Sequence, residues 1–401
     1  VEFKTLPTAW MGKVSIESAK LILFSLTTFM AFYMFLWVLY QRKDYFNKKV
    51  FYINTKVIRI LYIITMVAYL IGVYFNLRAF TIVSNKGYLA YYTDYLSYRS
   101  QFFLLQRITS ISPFLFFFTI YFLEGRSRNI LFTFYWLDTI TSLMTGVRNK
   151  FILNSMIFVL YLAYESRVHG KNSLKRFRKL FYLVLVIVLV VSPLIISGMK
   201  YIEIIRMQKS LTQLGIYDLV KNALYEQGLS GLMLIDYVVK NKDYLSEHKS
   251  FLLAPLREYF QGSIFAKALG SYKEYQLNTR EYALDISYLG PLYSLLNARD
   301  YYLSGGGSGS SYIAEAYGDL EIFGVIAISI LYSIIAFLID RSSNLSPLQL
   351  AISIQVFREI LIAPRGIALN FAKTFFQPTF LVTFLLLFFI MHFKISTKIS
   401  E

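Results

Sequence analysis

The sequence predicts an all-α polytopic membrane protein with about nine or more transmembrane helices and one long polar excursion between them. Three observations predict it. Of 401 residues, 56% are hydrophobic and only 16% charged, outside ordinary globular usage. Several apolar runs approach the roughly 20 residues that cross a bilayer. Short loops rich in Lys and Arg follow alternate runs, as expected of cytoplasmic connections. The net charge of +17 is therefore assigned to those loops, and no nucleic-acid partner is expected. The absence of Cys excludes disulfides, thiolate catalysis and Cys-ligated metals.

The first span is read as about Leu21–Tyr40, followed by a basic inner loop with Arg42, Lys43, Lys48, Lys49 and Lys56. The second, about Val57–Leu77, runs outward into a Tyr-rich polar segment, Arg78–Ser100. The third and fourth, about Gln101–Leu123 and Ile130–Gly146, are joined by a turn with Arg126 and Arg128. The fifth, about Phe151–Tyr164, is short and must continue into its flanks. The loop Glu165–Lys179 places six basic residues against one acid and is the clearest inner marker. A sixth span, about Leu180–Ser197, goes outward.

The excursion 198–321 has balanced charge, and helical periodicity at Leu211–Tyr225 and Leu229–Val239. Spans at about Ile322–Leu338, Leu348–Ile362 and Phe375–Phe393 follow, the middle one interrupted near Pro364. Residues 1–401 are thus one transmembrane domain containing a large outer loop. This topology leaves Val1 outside, which predicts at least one missing upstream span.

The excursion ends in Ser304–Gly324, where a Gly/Ser run leads into Glu315 and Tyr317. Gly305, Gly306, Gly307 and Gly309 allow close backbone approach to a ligand. Ala314–Ala316 is a helix start with its acid near the positive dipole end. A flexible surface loop or linker is the bland alternative.

Ionisable groups inside spans default to functional candidates. Arg107, Asp138, Arg358 and Glu359 lie there, while Arg148, Lys150, Arg206 and Arg365 lie at span ends. Arg358 and Arg365 are expected on one helix face if Pro364 only kinks the helix. The topology collects Arg107, Arg148, Arg206 and Arg365 at the outer face, where Arg suits phosphate. Snorkelling to headgroups, or pairing with acids such as Asp138, competes with that reading. His169, His248 and His392 have no metal-ligand spacing, and Asp319 with Glu321 is a weak acidic pair. The tyrosines Tyr272, Tyr275, Tyr282, Tyr288, Tyr293, Tyr301, Tyr302 and Tyr312 suit sugar rings or a membrane-interface belt.

Tyr225-Glu226-Gln227-Gly228-Leu229-Ser230, then Gly307 through Tyr317 and Phe323-Gly324, resemble the Wzy-type O-antigen and capsular polysaccharide polymerases. Gly146-Val147-Arg148 is similar to that family's Gly-x-Arg turn. The resemblance covers roughly residues 145–324. The spaced Arg–Gly loop motifs of some polymerases do not follow Arg148 or Arg365.

The resemblance implies a membrane-embedded glycosyltransferase with a GT-C-like fold, inverting and metal-independent, with no cofactor. It would sit in the bacterial inner membrane with its active site and the 198–321 loop facing the periplasm. Its substrates would be undecaprenyl-diphosphate-linked oligosaccharides, with membrane lipid and a chain-length regulator protein as partners. In this reading Arg148, Arg206, Arg358 and Arg365 hold the diphosphate. Arg107, Tyr312 and Tyr317 make other substrate contacts. Glu315 takes the acceptor proton, with Glu203 or Asp285 next in line. An O-antigen ligase shares the donor, but His248 lacks the context of a base. A lipid-linked oligosaccharide flippase would predict internal repeats and short loops, and neither occurs. Intramembrane arginines argue against a non-catalytic scaffold.

Overall fold

The computed structural model describes residues 15–40, 49–86, 88–91, 94–145, 148–169, 231–245, 248–273, 275–341 and 345–399. The expected sixth span, the Leu211–Tyr225 helix, Arg206 and Glu203 lie outside these residues. The described chain is almost entirely helical. One short antiparallel pair, Lys49–Ile53 with Ile395–Ile399, is the exception. Among the described residues, four helices are long and apolar enough to cross a membrane: Ile16–Tyr40, Thr55–Lys86, Phe103–Ile120 and Tyr312–Asp340. They become five if Asn370–Phe376 and Pro378–His392 count as one span.

The described chain divides into two compact units. The first draws on Val1–Lys43, Leu224–Leu338 and Glu359–Phe376, the second on Asp44–Ala223, Ile339–Arg358 and Gln377–Glu401.

In the second unit, the helix Thr55–Lys86 starts where the Asn54 side chain accepts from the Lys56 amide, satisfying one orphan donor of the first turn. Its buried residues recur every three or four positions from Leu61 to Val83, and include Thr65, Ala68, Gly72, Asn76 and Ala79. Small and polar residues on the packed stripe with exposed Ile60, Ile63, Val67 and Leu70 outside are the pattern of a membrane helix. That stripe packs on the helices Phe103–Ile120 and Gly125–Met144. The helix runs nine residues past the expected end at Leu77. Ala79 and Val83 are fully buried, and Ala79 packs in a cluster with Phe75 and Tyr95, so tertiary packing extends it beyond its apolar run.

Pro113 interrupts the backbone ladder of Phe103–Ile120. The Thr109 carbonyl, which a residue at 113 would have bonded, accepts instead from Ser112 Oγ at 2.9 Å. At the expected fifth span the helix Arg148–His169 continues into both flanks of the short apolar run and past Glu165, where the basic loop was expected to begin; Glu165 pairs with Arg128, and the helix is not among those long and apolar enough to cross a membrane.

In the first unit, the helix Tyr312–Arg341 breaks at Leu320 and Glu321, where Glu321 has φ of 54°. A side chain at Gly324 would stand 2.1 Å from the Ala316 carbonyl, so the chain can turn back on itself only with glycine there. The break separates a short helix carrying Glu315 from the apolar span expected to begin at Ile322.

The helix Pro347–Ile362 ends in a 3-10 turn at Ala363–Arg365. Arg358 and Arg365 therefore do not share a helix face. The proline ends the α-helix rather than bending it, because it supplies no N–H and restricts the residue before it.

Candidate functional site

The second unit holds a polar cavity of about 230 Å³ among its helices. Its charged lining is Arg99, Lys150 and Arg358 against one carboxylate, Asp138. Gly72 makes room for that carboxylate, since a side chain there would lie 2.6 Å from Asp138 Oδ1. Asp138 accepts from Asn76 Nδ2 at 3.0 Å and pairs with Lys150 at 2.9 Å. The sequence offered Asp138 as a partner for an arginine; Lys150 takes that place.

The two arginines differ from Lys150. Arg99 donates to Thr109 Oγ1 at 3.3 Å and lies 5.5 Å from the Phe75 ring centre, yet its Nε is buried without a hydrogen-bond partner. Arg358 Nε is likewise buried and unpartnered, and so is the hydroxyl of Tyr69. Three donors with unmet hydrogen bonds thus line one cavity with excess positive charge. A buried donor without a partner costs about 1–3 kcal/mol.

Among the described residues, Arg358 is the diphosphate candidate from the sequence that lines this cavity. Arg148 opens the helix that carries Lys150. Arg107 sits over the Phe103 ring at 4.8 Å and is not part of the lining. Arg99 and Tyr69 were missed. Arg99 lies in what reads as an outer loop, and Tyr69 in an apolar run without charge, so no local signal marked either.

The first unit gathers Glu315, Tyr312, Tyr317 and the Arg365 segment. Glu315 is fully buried; its carboxylate accepts from Ser310 Oγ at 2.5 Å and from the Ala368 amide at 2.8 Å. Tyr332 donates to the Ala368 carbonyl at 2.6 Å. A side chain at Gly309 would meet the Arg365 carbonyl at 2.9 Å, and one at Gly290 would meet the Ser308 and Gly309 carbonyls at 2.7 Å. The Gly-rich run is thus a packed element, pinned further by Asn278 to the Tyr302 and Gly306 carbonyls and by the Ser308 amide to Ser294.

Tyr312 is buried with its hydroxyl 2.8 Å from Ser25, and Tyr317 packs beside the same core. The acidic pair separates: Asp319 accepts from the amides of Phe251 and Leu252, while Glu321 pairs with Lys242. Asp285 is held below the usual carboxylate range by Lys273 and Tyr275, which both bond it.

Spans with apolar outer faces define an α-helical multi-pass membrane protein. The family model described as O-antigen polysaccharide polymerase Wzy matches residues 10–398, and the chain belongs to that family. No curated protein and no solved structure matches it. The chain is accordingly a glycosyltransferase-type polymerase acting on lipid-linked oligosaccharide repeat units in a membrane.

Proposed function

We propose that the chain moves a growing glycan en bloc from undecaprenyl diphosphate onto the terminal sugar of a fresh lipid-linked unit. The acceptor oxygen bonds the anomeric carbon with inversion, its proton passing to a carboxylate base, and undecaprenyl diphosphate leaves with the electron pair of the broken bond. The cavity of the second unit holds that diphosphate. The observation that carries this reading is the set of unpartnered buried donors on Tyr69, Arg99 and Arg358. Preorganised guanidinium groups stabilise charge on a leaving diphosphate without needing to reorganise during the reaction. This is the support for a reaction that proceeds without a metal.

Arg148 begins the helix that carries the cavity-lining Lys150, and Arg148 and Arg206 remain proposed diphosphate contacts. Arg107, Arg365, Tyr312 and Tyr317 remain proposed substrate contacts or supports of them. Glu315 has two readings. As a base it would have to release Ser310; its full burial supports the role of a tie that holds the Arg365 segment against the Gly-rich run. The reading also places about nine or more spans in the bacterial inner membrane, with the 198–321 loop and the active site on the periplasmic side and a chain-length regulator as partner.

The test uses purified protein in lipid nanodiscs. Undecaprenyl diphosphate should bind to wild type and bind at least tenfold more weakly to Arg358→Ala. A defined lipid-linked repeat should yield a polymer ladder without added metal. Equal binding by Arg99→Ala and Arg358→Ala would refute the cavity as the diphosphate site.

A further inference from the structure

The first unit carries a second constellation, which no step above uses. Glu258 lies on the helix Ala254–Gln261, with its side chain 24% exposed. Three donors converge on it: the hydroxyl of Tyr288 at 2.7 Å, that of Tyr282 at 3.4 Å, and the Lys373 ammonium. Tyr282 and Tyr288 are buried. Burial first, and then the Glu258 carboxylate, push both phenols well above the usual tyrosine range, so they stay protonated donors. The carboxylate is thereby fixed in place while one side stays open to solvent.

Beside it on the same two helices lie Tyr259, Phe260 and Phe376. Phe376 lies 6.0 Å from Tyr259 and 6.1 Å from Phe260, ring centre to ring centre. Phe260 is 51% exposed and Phe376 44%. One turn beyond Glu258, the Gln261 side-chain carbonyl is buried and has no hydrogen-bond partner. A tie between the two helices accounts for the Lys373–Glu258 pair. It leaves the rings in the open and Gln261 without a donor.

We propose that this face, shared by the helices Ala254–Gln261 and Asn370–Phe376, binds the oligosaccharide part of the lipid-linked substrate or product. The proposal rests on the polymerase reading for the nature of its ligand. A pyranose presents C–H faces, which suit Phe260 and Phe376, and hydroxyl edges. Those edges can donate to Glu258 and accept from Lys373, which has protons beyond the one it gives Glu258. A lipid chain would leave Glu258 and Lys373 against hydrocarbon, which is costly for polar groups without added partners.

The experiment uses the full chain in detergent and two probes. One is fluorescently labelled O-polysaccharide fragments released by mild acid from the producing strain's lipopolysaccharide. The other is undecaprenyl diphosphate without sugar. Glu258→Gln and the double variant Phe260→Ser/Phe376→Ser should each weaken fragment binding by about tenfold. They should also raise KM for the lipid-linked repeat more than they lower kcat, and leave undecaprenyl diphosphate binding unchanged. Arg358→Ala should show the opposite pattern. Because the Phe positions are exposed, the double variant decides the matter even where Glu258→Gln lowers Tm. Unchanged fragment affinity in the double variant overturns the proposal. So does a double variant that keeps fragment affinity but loses labelling of this face by a photoactivatable phospholipid in nanodiscs, which would make the face a lipid contact. Failure of Arg358→Ala to lose undecaprenyl diphosphate refutes the diphosphate cavity instead, and leaves the fragment result to judge this face.

Discussion

The Glu315 carboxylate accepts a hydrogen bond from the backbone amide of Ala368, 53 positions along the chain, at 2.8 Å. With Ser310 on its other oxygen, it joins the Gly-rich run to the segment that carries Arg365. Glu315→Gln can keep both contacts, its carbonyl accepting from Ala368 and its amide donating to Ser310. The variant should therefore retain stability and most polymer formation. Glu315→Ala leaves buried donors unmet and should cost about 1–3 kcal/mol, seen as a lower Tm with reduced polymer. A well-folded Gln variant that makes no polymer would instead restore Glu315 as the base.

Arg99 and Arg358 should act through the leaving diphosphate. Alanine at either position should reduce polymer formation by about tenfold or more, as expected for loss of a hydrogen bond to a charged group. Lys should rescue poorly, because it lacks the planar fork of the guanidinium. Arg107→Ala, whose guanidinium sits over Phe103, should have the smaller effect. Ladder formation from a defined repeat unit ranks the three.

Glycine substitutions separate a packed element from a linker. Gly309→Ala would drive a methyl to 2.9 Å from the Arg365 carbonyl, whereas at Gly307 the nearest side-chain atom is 3.7 Å away. Overpacking of this kind costs about 1–3 kcal/mol. Gly309→Ala should lower Tm and polymer yield, and Gly307→Ala should leave both near wild type. Equal Tm values for the two would mean that the run is loosely held.

Asp236 anchors the start of the first helix by accepting from the Ser15 amide and the Ser18 hydroxyl. Partial burial raises its pKa, but Lys240 and the two serines outweigh this and hold it at about 2. An unfolded aspartate titrates near 3.9, at about pH 4. The folded value is the lower one, so the stabilisation is present above that pH and is lost as pH falls towards about 2. Between about pH 5 and pH 2, Tm should fall more steeply for wild type than for Asp236→Asn. Parallel curves would show that this anchor contributes nothing measurable.

The absence of Cys makes sidedness simple to measure. A cysteine at the exposed Ser304 should react with an impermeant thiol reagent in cells with a permeabilised outer membrane. One at Ser173, in the basic loop, should react only after the inner membrane is opened. The reverse pattern would invert the proposed topology.

The sequence by itself determined the class of protein, the long apolar helices among those described, and the break near Pro364. Hydropathy, basic loops, glycine and proline act locally, so their effects are written along the chain. It also marked Arg358 and Glu315 as unusual, because a charge in or beside an apolar run is conspicuous without knowing its neighbours. Only the tertiary structure decided what those groups meet. Arg99 and Tyr69 joined Arg358 around one cavity, Arg365 left the helix face of Arg358, and Glu315 was buried as a tie. It also decided which tyrosines mattered, turning Tyr282 and Tyr288 onto Glu258. The physical reason is that hydropathy sets which residues leave water but not which helix faces which. Unmet hydrogen bonds, close glycine contacts and paired charges arise only when residues distant in sequence are packed together.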